Sequence, residues 1–353
     1  MLLEESEVME KKFYTHHSPF ELESGDKIDK LELCYHISRK RSPGSKVIWI
    51  CHALTANSNP LEWWDNLAGK GKLFDPSLHT IICVNVPGSC YGSSGPASIS
   101  KDGKRYLLSF PKVTVRDVVK AQNLLREHLG IDKIDLIIGG SVGGFQALEW
   151  SILFPDIVQN CALIACNARV SPWGAAFNES QRLALLSDSS FLRQESIHGG
   201  KAGLAAARSI ALLSYRTYMG YGITQMDDAD SVFAERACTY QQYQGKKLCD
   251  RFDAYSYYIL SYLTDSHNTG RGRGGIEKAL DCIKAKTLVI GIESDMLFPF
   301  REQEELHRLI KGSALSKISS DFGHDGFLLE GESISKILLK HFSFLKLRSA
   351  DFS

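Results

Sequence analysis

The stretch "LIIGGSVGGFQALEW", residues 136–150, ends an apolar run in glycines, sets one serine between glycine pairs and continues as a helical pattern. "GGSVG" (139–143) fits G-x-S-x-G, in which a strand turns sharply into a helix and holds a nucleophile, here Ser141, in a strained backbone conformation. Its neighbours must lack side chains so that the helix packs close and the hydroxyl stands exposed. The bare pentapeptide is weak evidence. A buried strand before it and a helix after it make it specific.

A serine hydroxyl is a poor nucleophile at neutral pH, so it needs a base, and the base needs an orienter. With such an elbow the acid follows the serine in the chain and the histidine follows the acid. Asp295, in "ESDMLFP" (293–299), comes just after the apolar run "KTLVIGIES" (286–294), and Glu293 is the alternative acid. Of eleven histidines, His324 in "FGHDGF" alone follows the acid, follows a β-like segment and sits in a glycine-flanked loop. Taken singly, Asp295 reads as a helix N-cap and His324 as a loop histidine; taken with the elbow they read as a catalytic triad. An oxyanion hole needs two backbone N–H groups. Val142 supplies one, and the loop "CHALTANSN" (51–59) supplies the other at Leu54, with Ala53 as the alternative; His52 reads as structural.

Elements of two textures must hold these groups. Between about residues 18 and 168 lie β-rich runs, "LELCYHI", "VIWICHA" (47–53), "TIICVNV" (80–86), "IDLIIGG" (134–140) and "CALIACNA" (161–168). The last four are nearly continuously apolar, as strands covered on both faces are. Helical patterns alternate with them: "VRDVVKAQNLLREHLG" is closed by Gly130, and "GFQALEWSILFP" is stopped by Pro155. Strand alternating with helix predicts a mostly parallel sheet flanked by helices. From about 170 to 285 the strand signal vanishes and the pattern is helical; strand and helix then resume. The expected organisation is an α/β core of residues 1–168 and 286–353, interrupted by a helical lid over 169–285. How the first 17 residues lie is not legible.

Bulk properties narrow the function classes. The 353 residues carry 41 basic and 41 acidic side chains, without the basic excess of a nucleic-acid binder. No apolar run approaches the roughly 20 residues that span a bilayer. Nine cysteines, an odd number in unpaired spacing, several of them inside apolar runs, predict a reduced, cytoplasmic protein. No metal-ligand motif is present, so neither a metal nor a resident cofactor is expected.

"GGSVGGFQALEW", "HALT", "GSCYGSSGP" (88–96), "FPKVTVRDVVKAQ" (110–122), "AFNESQR" (176–182), "DSHNTGRGRGG" (265–275), "ESDMLFP" and "GHDGFLLE" (323–330) together resemble the homoserine O-acetyltransferase family, in register over about residues 45 to 335. The resemblance implies an α/β-hydrolase fold and transfer of an acetyl group from acetyl-CoA, as co-substrate, to the hydroxyl of L-homoserine in methionine biosynthesis. It also implies a ping-pong route through an acyl-serine and a homodimer joined through the lid helices. Ser141, Asp295 and His324 match the family triad. Arg208 matches the arginine that holds the amino-acid carboxylate, Tyr215 a pocket tyrosine, and Asp325 the carboxylate that holds the ammonium. The chain departs from the family pattern at Val142, at "NVPGS" (85–89) and at "HALTAN" (52–57). The loop changes leave open a succinyl donor or a serine acceptor.

Fold alone favours water as the acceptor, which keeps a serine esterase or thioesterase as the second reading and a non-catalytic binding relative as the third. Arg271 and Arg273 in the glycine-rich "GRGRGG" suit the phosphates of coenzyme A or, equally, a lid hinge with solvated charges.

Overall fold

The computed structural model describes residues 9–38 and 44–345. Eight strands form one sheet: β1 Met9–His16, β2 Leu31–Ser38, β3 Val47–Cys51, β4 Thr80–Val84, β5 Leu136–Gly140, β6 Asn160–Ile164, β7 Lys286–Ile292 and β8 Ala314–Ile318. Their spatial order is β1-β2-β4-β3-β5-β6-β7-β8. β1 pairs antiparallel with β2, and β2 antiparallel with β4; every other pairing is parallel. This is an α/β fold with a mostly parallel sheet, and it places β3, β5 and β6 at the centre.

Period-two alternation divides the central strands between two cores. Trp49 and Ile137 face one, whereas Ile48, Ile50 and Ile138 face the other. Both faces are covered, which is why these strands read as unbroken apolar runs. β3, β4 and β6 end two to four residues sooner than the apolar runs suggest, because His52, Asn85 and Ala165 to Ala168 leave the sheet to shape loops at its C-terminal edge. β1 escaped the sequence reading for a physical reason. Its residues Lys11, Lys12 and Phe13 are exposed, as suits an edge strand, so it carries little apolar signal.

Helix α1 (Val115–His128) opens with a capping box between Thr114 and Asp117, and α2 (Val142–Leu153) follows Ser141 directly. Between β6 and β7 lie α3 (Pro172–Leu186), α4 (Lys201–Tyr215), α5 (Tyr218–Gln225), α6 (Arg236–Cys249) and α7 (Ala254–Asp265). These helices share a core with the sheet: Leu185, Leu204, Tyr255 and Leu260 belong to the same buried cluster as Trp49 and Phe145. The chain closes with α8 (Phe300–Leu309) and α9 (Gly331–His341). Among the described residues no helix is long and apolar enough to cross a membrane.

The run "SIALLSYRTYM" reads as one helix, yet it breaks between α4 and α5. The Thr217 hydroxyl oxygen caps α5 by accepting the Gly220 N–H, and its O–H is donated to the Asp321 carbonyl. The break thereby seats Tyr215 and Arg216 against the loop that carries His324.

Candidate active site

Ser141 sits at the tip of β5 with φ 58° and ψ −126°, outside the regions open to most L-residues. The surrounding glycines are required by close approach. A Cβ on Gly143 would stand 2.1 Å from the Cys51 carbonyl oxygen, and one on Gly140 would stand 2.3 Å from the Phe327 ring. The strained turn is thus held between β3 and the loop after β8.

The Ser141 hydroxyl lies 2.8 Å from Nε2 of His324, and Nδ1 of His324 lies 2.7 Å from Oδ2 of Asp295. Asp295 Oδ1 accepts the N–H groups of Leu297 at 2.8 Å and Phe298 at 3.0 Å, which fixes the carboxylate. All three side chains are buried. Burial pulls the His324 imidazolium toward a lower pKa, but the charge and hydrogen bond of Asp295, with the charge of Asp325, together outweigh it and leave the pKa raised. The imidazole rings with Phe298 at 5.2 Å, Phe327 at 5.4 Å and Tyr215 at 5.7 Å. Glu293, the alternative acid, is elsewhere: it is half exposed and pairs with Lys317 at 2.7 Å.

Val142 opens α2, so its N–H is one of the terminal amides without an intrahelical carbonyl. Leu54 lies across the site, in the loop after β3. A buried polar chain, absent from the sequence reading, ties this loop to α2. Trp150 Nε1 donates to Gln122 (2.8 Å), Gln122 Nε2 to Gln146 (2.9 Å), and Gln146 Nε2 to the His52 carbonyl (3.0 Å). His52 itself is structural: Nδ1–H donates to the Ala53 carbonyl and Nε2 accepts the Val86 N–H. Burial lowers its pKa to about 4, which keeps it neutral in that role. The sequence carried a signal for Gln146, which with Glu149 and Ser151 is one of three polar residues in a mostly apolar helix.

Two cavities meet at Ser141. The larger, about 340 Å³, is lined by Leu54, Arg208, Tyr215, His324 and Asp325, so the sequence-derived substrate residues converge there. The smaller, about 20 Å³, also reaches Ser141 and is lined by Leu54, Val142, Leu297 and Phe298 among others. In the larger cavity the Arg208 guanidinium lies 5.6 Å from the Tyr215 ring and makes no ion pair among the described residues. Asp325 is already engaged, with Oδ2 standing 2.8 Å from Nε of Arg216. Burial raises the Asp325 pKa against the opposing charges of Arg216 and Arg208. Arg216 escaped the sequence reading because its helix appeared continuous. Arg251 was also missed; it donates to the Thr55 carbonyl at 2.5 Å and to the Tyr91 hydroxyl at 2.7 Å, at the cavity wall.

Arg271 and Arg273 are not brought to either cavity. Arg271 pairs with Glu23 at 2.7 Å, and Arg273 forks onto buried Glu149 of α2, which also lies 3.5 Å from Arg116. The glycine loop is therefore fastened behind the nucleophile helix. Both arginines are thus ion-paired, Arg271 near the surface with Glu23 and Arg273 in the interior with Glu149.

Residues 46–331 match the family model described as alpha/beta hydrolase fold. The chain is 42% identical to the homoserine O-acetyltransferase of Cyclobacterium marinum, over 94% of this chain and 95% of that protein. It superposes on the crystal structure of homoserine O-acetyltransferase from Staphylococcus aureus with a TM-score of 0.78 and 31% identity, covering 96% of each chain. An acetylester hydrolase from Corynebacterium glutamicum superposes with a TM-score of 0.83 and 27% identity, over 95% of this chain and 96% of that one. With the elbow, the Ser141, His324 and Asp295 geometry and this similarity over nearly its whole length, the chain belongs to the homoserine O-acetyltransferase family of the alpha/beta hydrolase fold.

Proposed function

We propose that this protein transfers an acetyl group from acetyl-CoA to the side-chain hydroxyl of L-homoserine, giving O-acetyl-L-homoserine for methionine biosynthesis, by a ping-pong route through acyl-Ser141. In the first half-reaction Ser141 Oγ attacks the thioester carbonyl while its proton passes to His324 Nε2. The C–S bond breaks, and the departing sulfur takes that proton. In the second half-reaction His324 takes the homoserine hydroxyl proton as that oxygen attacks the acyl carbonyl. Ser141 leaves and recovers the proton. Asp295 holds the imidazole in the tautomer both steps need. The N–H groups of Leu54 and Val142 face the developing oxyanion.

The observation that carries this reading is the position of Arg208 and Asp325 beside the Ser141–His324 pair, in one cavity. A guanidinium without an ion-pair partner suits a carboxylate. The second oxygen of Asp325 suits an ammonium while the first stays with Arg216. An amino acid gripped at both groups presents its side-chain hydroxyl to the base. A simple ester needs no such grip. The likeness to an acetylester hydrolase supports hydrolysis as the second reading. Thiol release from acetyl-CoA, measured with and without L-homoserine and repeated with succinyl-CoA and L-serine, separates them. Release that depends on homoserine supports the transferase; release indifferent to every acceptor favours the hydrolase.

Exposed apolar residues on α4 and α5, namely Leu213, Tyr218, Met219 and Ile223, support a homodimer joined through these helices.

A further inference from the structure

Asp295 and His324 belong to different loops, the first after β7 and the second after β8. The parallel ladder that holds these strands together ends at Ile292 and Ile318, with one more bond from the Glu293 N–H to the Ile318 carbonyl at 2.9 Å. Past that point no backbone hydrogen bond joins the two loops among the described residues, and a side chain takes over. The Ser294 hydroxyl is donated to the Ser320 carbonyl, and its oxygen accepts the N–H of Gly323 at 3.2 Å. Ser294 immediately precedes Asp295, and Gly323 immediately precedes His324. The pair that meets as acid and base, at 2.7 Å, is therefore preceded by a pair that also meets. On its other side the base loop lies against α4 and α5. A Cβ on Gly323 would stand 2.9 Å from the Tyr215 carbonyl oxygen, and the Thr217 hydroxyl is donated to the Asp321 carbonyl. The loop is gripped from two sides, and Ser294 is the grip on the side of the acid.

We infer that Ser294 is a positioning residue for the triad, whose hydroxyl bridges the two loops and sets the separation between Asp295 and His324; the inference rests on the acyl-Ser141 reading above. A hydrogen bond weakens steeply with length and misalignment, so the acid orients the base only while the two loops keep their spacing. Asp295 is fixed on its own loop. Its carboxylate accepts the N–H groups of Leu297 and Phe298, and its own N–H is donated to the Ile292 carbonyl at 3.2 Å. Those bonds hold the carboxylate relative to β7 and do nothing to hold His324 beside it. The other polar contact of the imidazole is Ser141 at 2.8 Å, and that bond must break and re-form in each half-reaction. Ser294 lines neither cavity at Ser141, so it acts through the loops and not on a substrate.

The test compares wild type with Ser294→Ala, which removes the bridge and little volume, and with Ser294→Thr, which keeps a hydroxyl. Acylation by p-nitrophenyl acetate, with no acceptor present, is followed across the acid limb of its pH profile. The mass of the Ser141 peptide confirms the adduct, and circular dichroism confirms folding. Ser294→Ala is expected to acylate roughly tenfold more slowly, short of the ~10²-fold that a misplacement of about 1 Å can cost. Burial lowers the His324 pKa and Asp295 raises it, so a looser pair should move the limb toward lower pH. The charged groups about the imidazole are Asp295 and Asp325, with Arg216 and Arg208 facing Asp325, and the variant alters none of them. A shift therefore reports geometry. The low-field proton resonance of His324 Nδ1–H should move upfield or broaden in Ser294→Ala and return in Ser294→Thr. An unchanged rate in Ser294→Ala overturns the inference, as does a slower variant that keeps the limb and the resonance of wild type. Absence of an acetyl adduct on wild-type Ser141 would sink the acyl-Ser141 reading, and the resonance, which needs no substrate, would still decide whether Ser294 holds the acid and the base together.

Discussion

The carboxylate of Asp325 stands 2.8 Å from Nε of Arg216, and each of these residues directly follows a residue that rings or forms the base: Arg216 follows Tyr215, and Asp325 follows His324. The helical segment between β6 and β7 thus meets the loop that carries the base at the base itself. The helix break after Tyr215 makes the contact possible, since a continuous helix would carry Arg216 onward past the loop. The pairing also fixes which carboxylate oxygen remains for a substrate. Arg216→Ala is expected to raise the Michaelis constant for homoserine, because Asp325 would lose both an anchor and a charge that favours its ionised form. Steady-state kinetics with homoserine varied at saturating acetyl-CoA checks this, and an unchanged constant would separate Asp325 from substrate binding.

Protonation of His324 removes the general base, so activity falls as pH drops through its pKa. That pKa is raised in the folded protein: burial alone would lower it, but Asp295 and Asp325 outweigh burial. The acid limb of the acylation rate should therefore lie above the free imidazole value of about 6.5. Asp325→Asn deletes one of the raising charges, so the limb should move toward lower pH. Acylation by p-nitrophenyl acetate, which needs no homoserine, gives the profile. A limb that stays in place would mean Asp325 does not act on the base.

Ser141→Ala should abolish acylation, and His324→Ala should block both half-reactions. Asp295→Asn should keep the packing and favour the wrong tautomer, at a cost on the order of 10⁴-fold by the serine-protease precedent. Glu293→Gln should stay active, since its carboxylate pairs with Lys317 near the surface. Rates of thiol release for these four variants decide the assignment; a crippled Glu293→Gln beside an active Asp295→Asn would reverse it.

The parts of this site that sequence made legible are those whose signal is local. Ser141 announces itself through glycines that a strand-to-helix turn demands, and His324 and Asp295 through their places after strands. Arg208, Tyr215 and Asp325 came only from resemblance, because an arginine on a helix has no local mark of being unpaired. The chain from Trp150 through Gln122 and Gln146 to His52 is invisible for another reason. It joins α1, α2 and the loop after β3, and no periodicity records which side chains meet across elements. The partners of Arg271 and Arg273, Glu23 and Glu149, are illegible for the same cause, since they are distant in the chain. Glycines around them suggested a ligand; in the fold Arg273 pairs with Glu149 on the buried face of α2, and Arg271 with Glu23. Arg273→Ala should accordingly cost stability and leave the Michaelis constant for acetyl-CoA unchanged. About 1–3 kcal/mol is expected, since Arg116 remains near Glu149. Urea denaturation alongside steady-state kinetics reads both.

Gln146 is the residue whose role reaches furthest beyond its contacts. Its Nε2 holds the carbonyl of His52, and two residues later comes Leu54, whose N–H faces the acyl oxygen in the proposed mechanism. Gln146→Leu keeps similar bulk and removes the hydrogen bond, which also leaves Gln122 Nε2 without its partner. The loop should then relax, and the oxyanion would lose alignment with one donor. Loss of such a donor costs about 10²–10³ in rate; a loosened donor should cost less, roughly tenfold, in kcat rather than in the Michaelis constants. A merely structural role would lower stability without touching the acyl carbonyl. Infrared difference spectra of the acetyl-enzyme, made with ¹³C-labelled donor, distinguish the two. Weaker polarisation should shift the acyl C=O stretch to higher frequency in Gln146→Leu, and an unshifted band in a folded, slow variant would show that the chain of glutamines acts on stability alone.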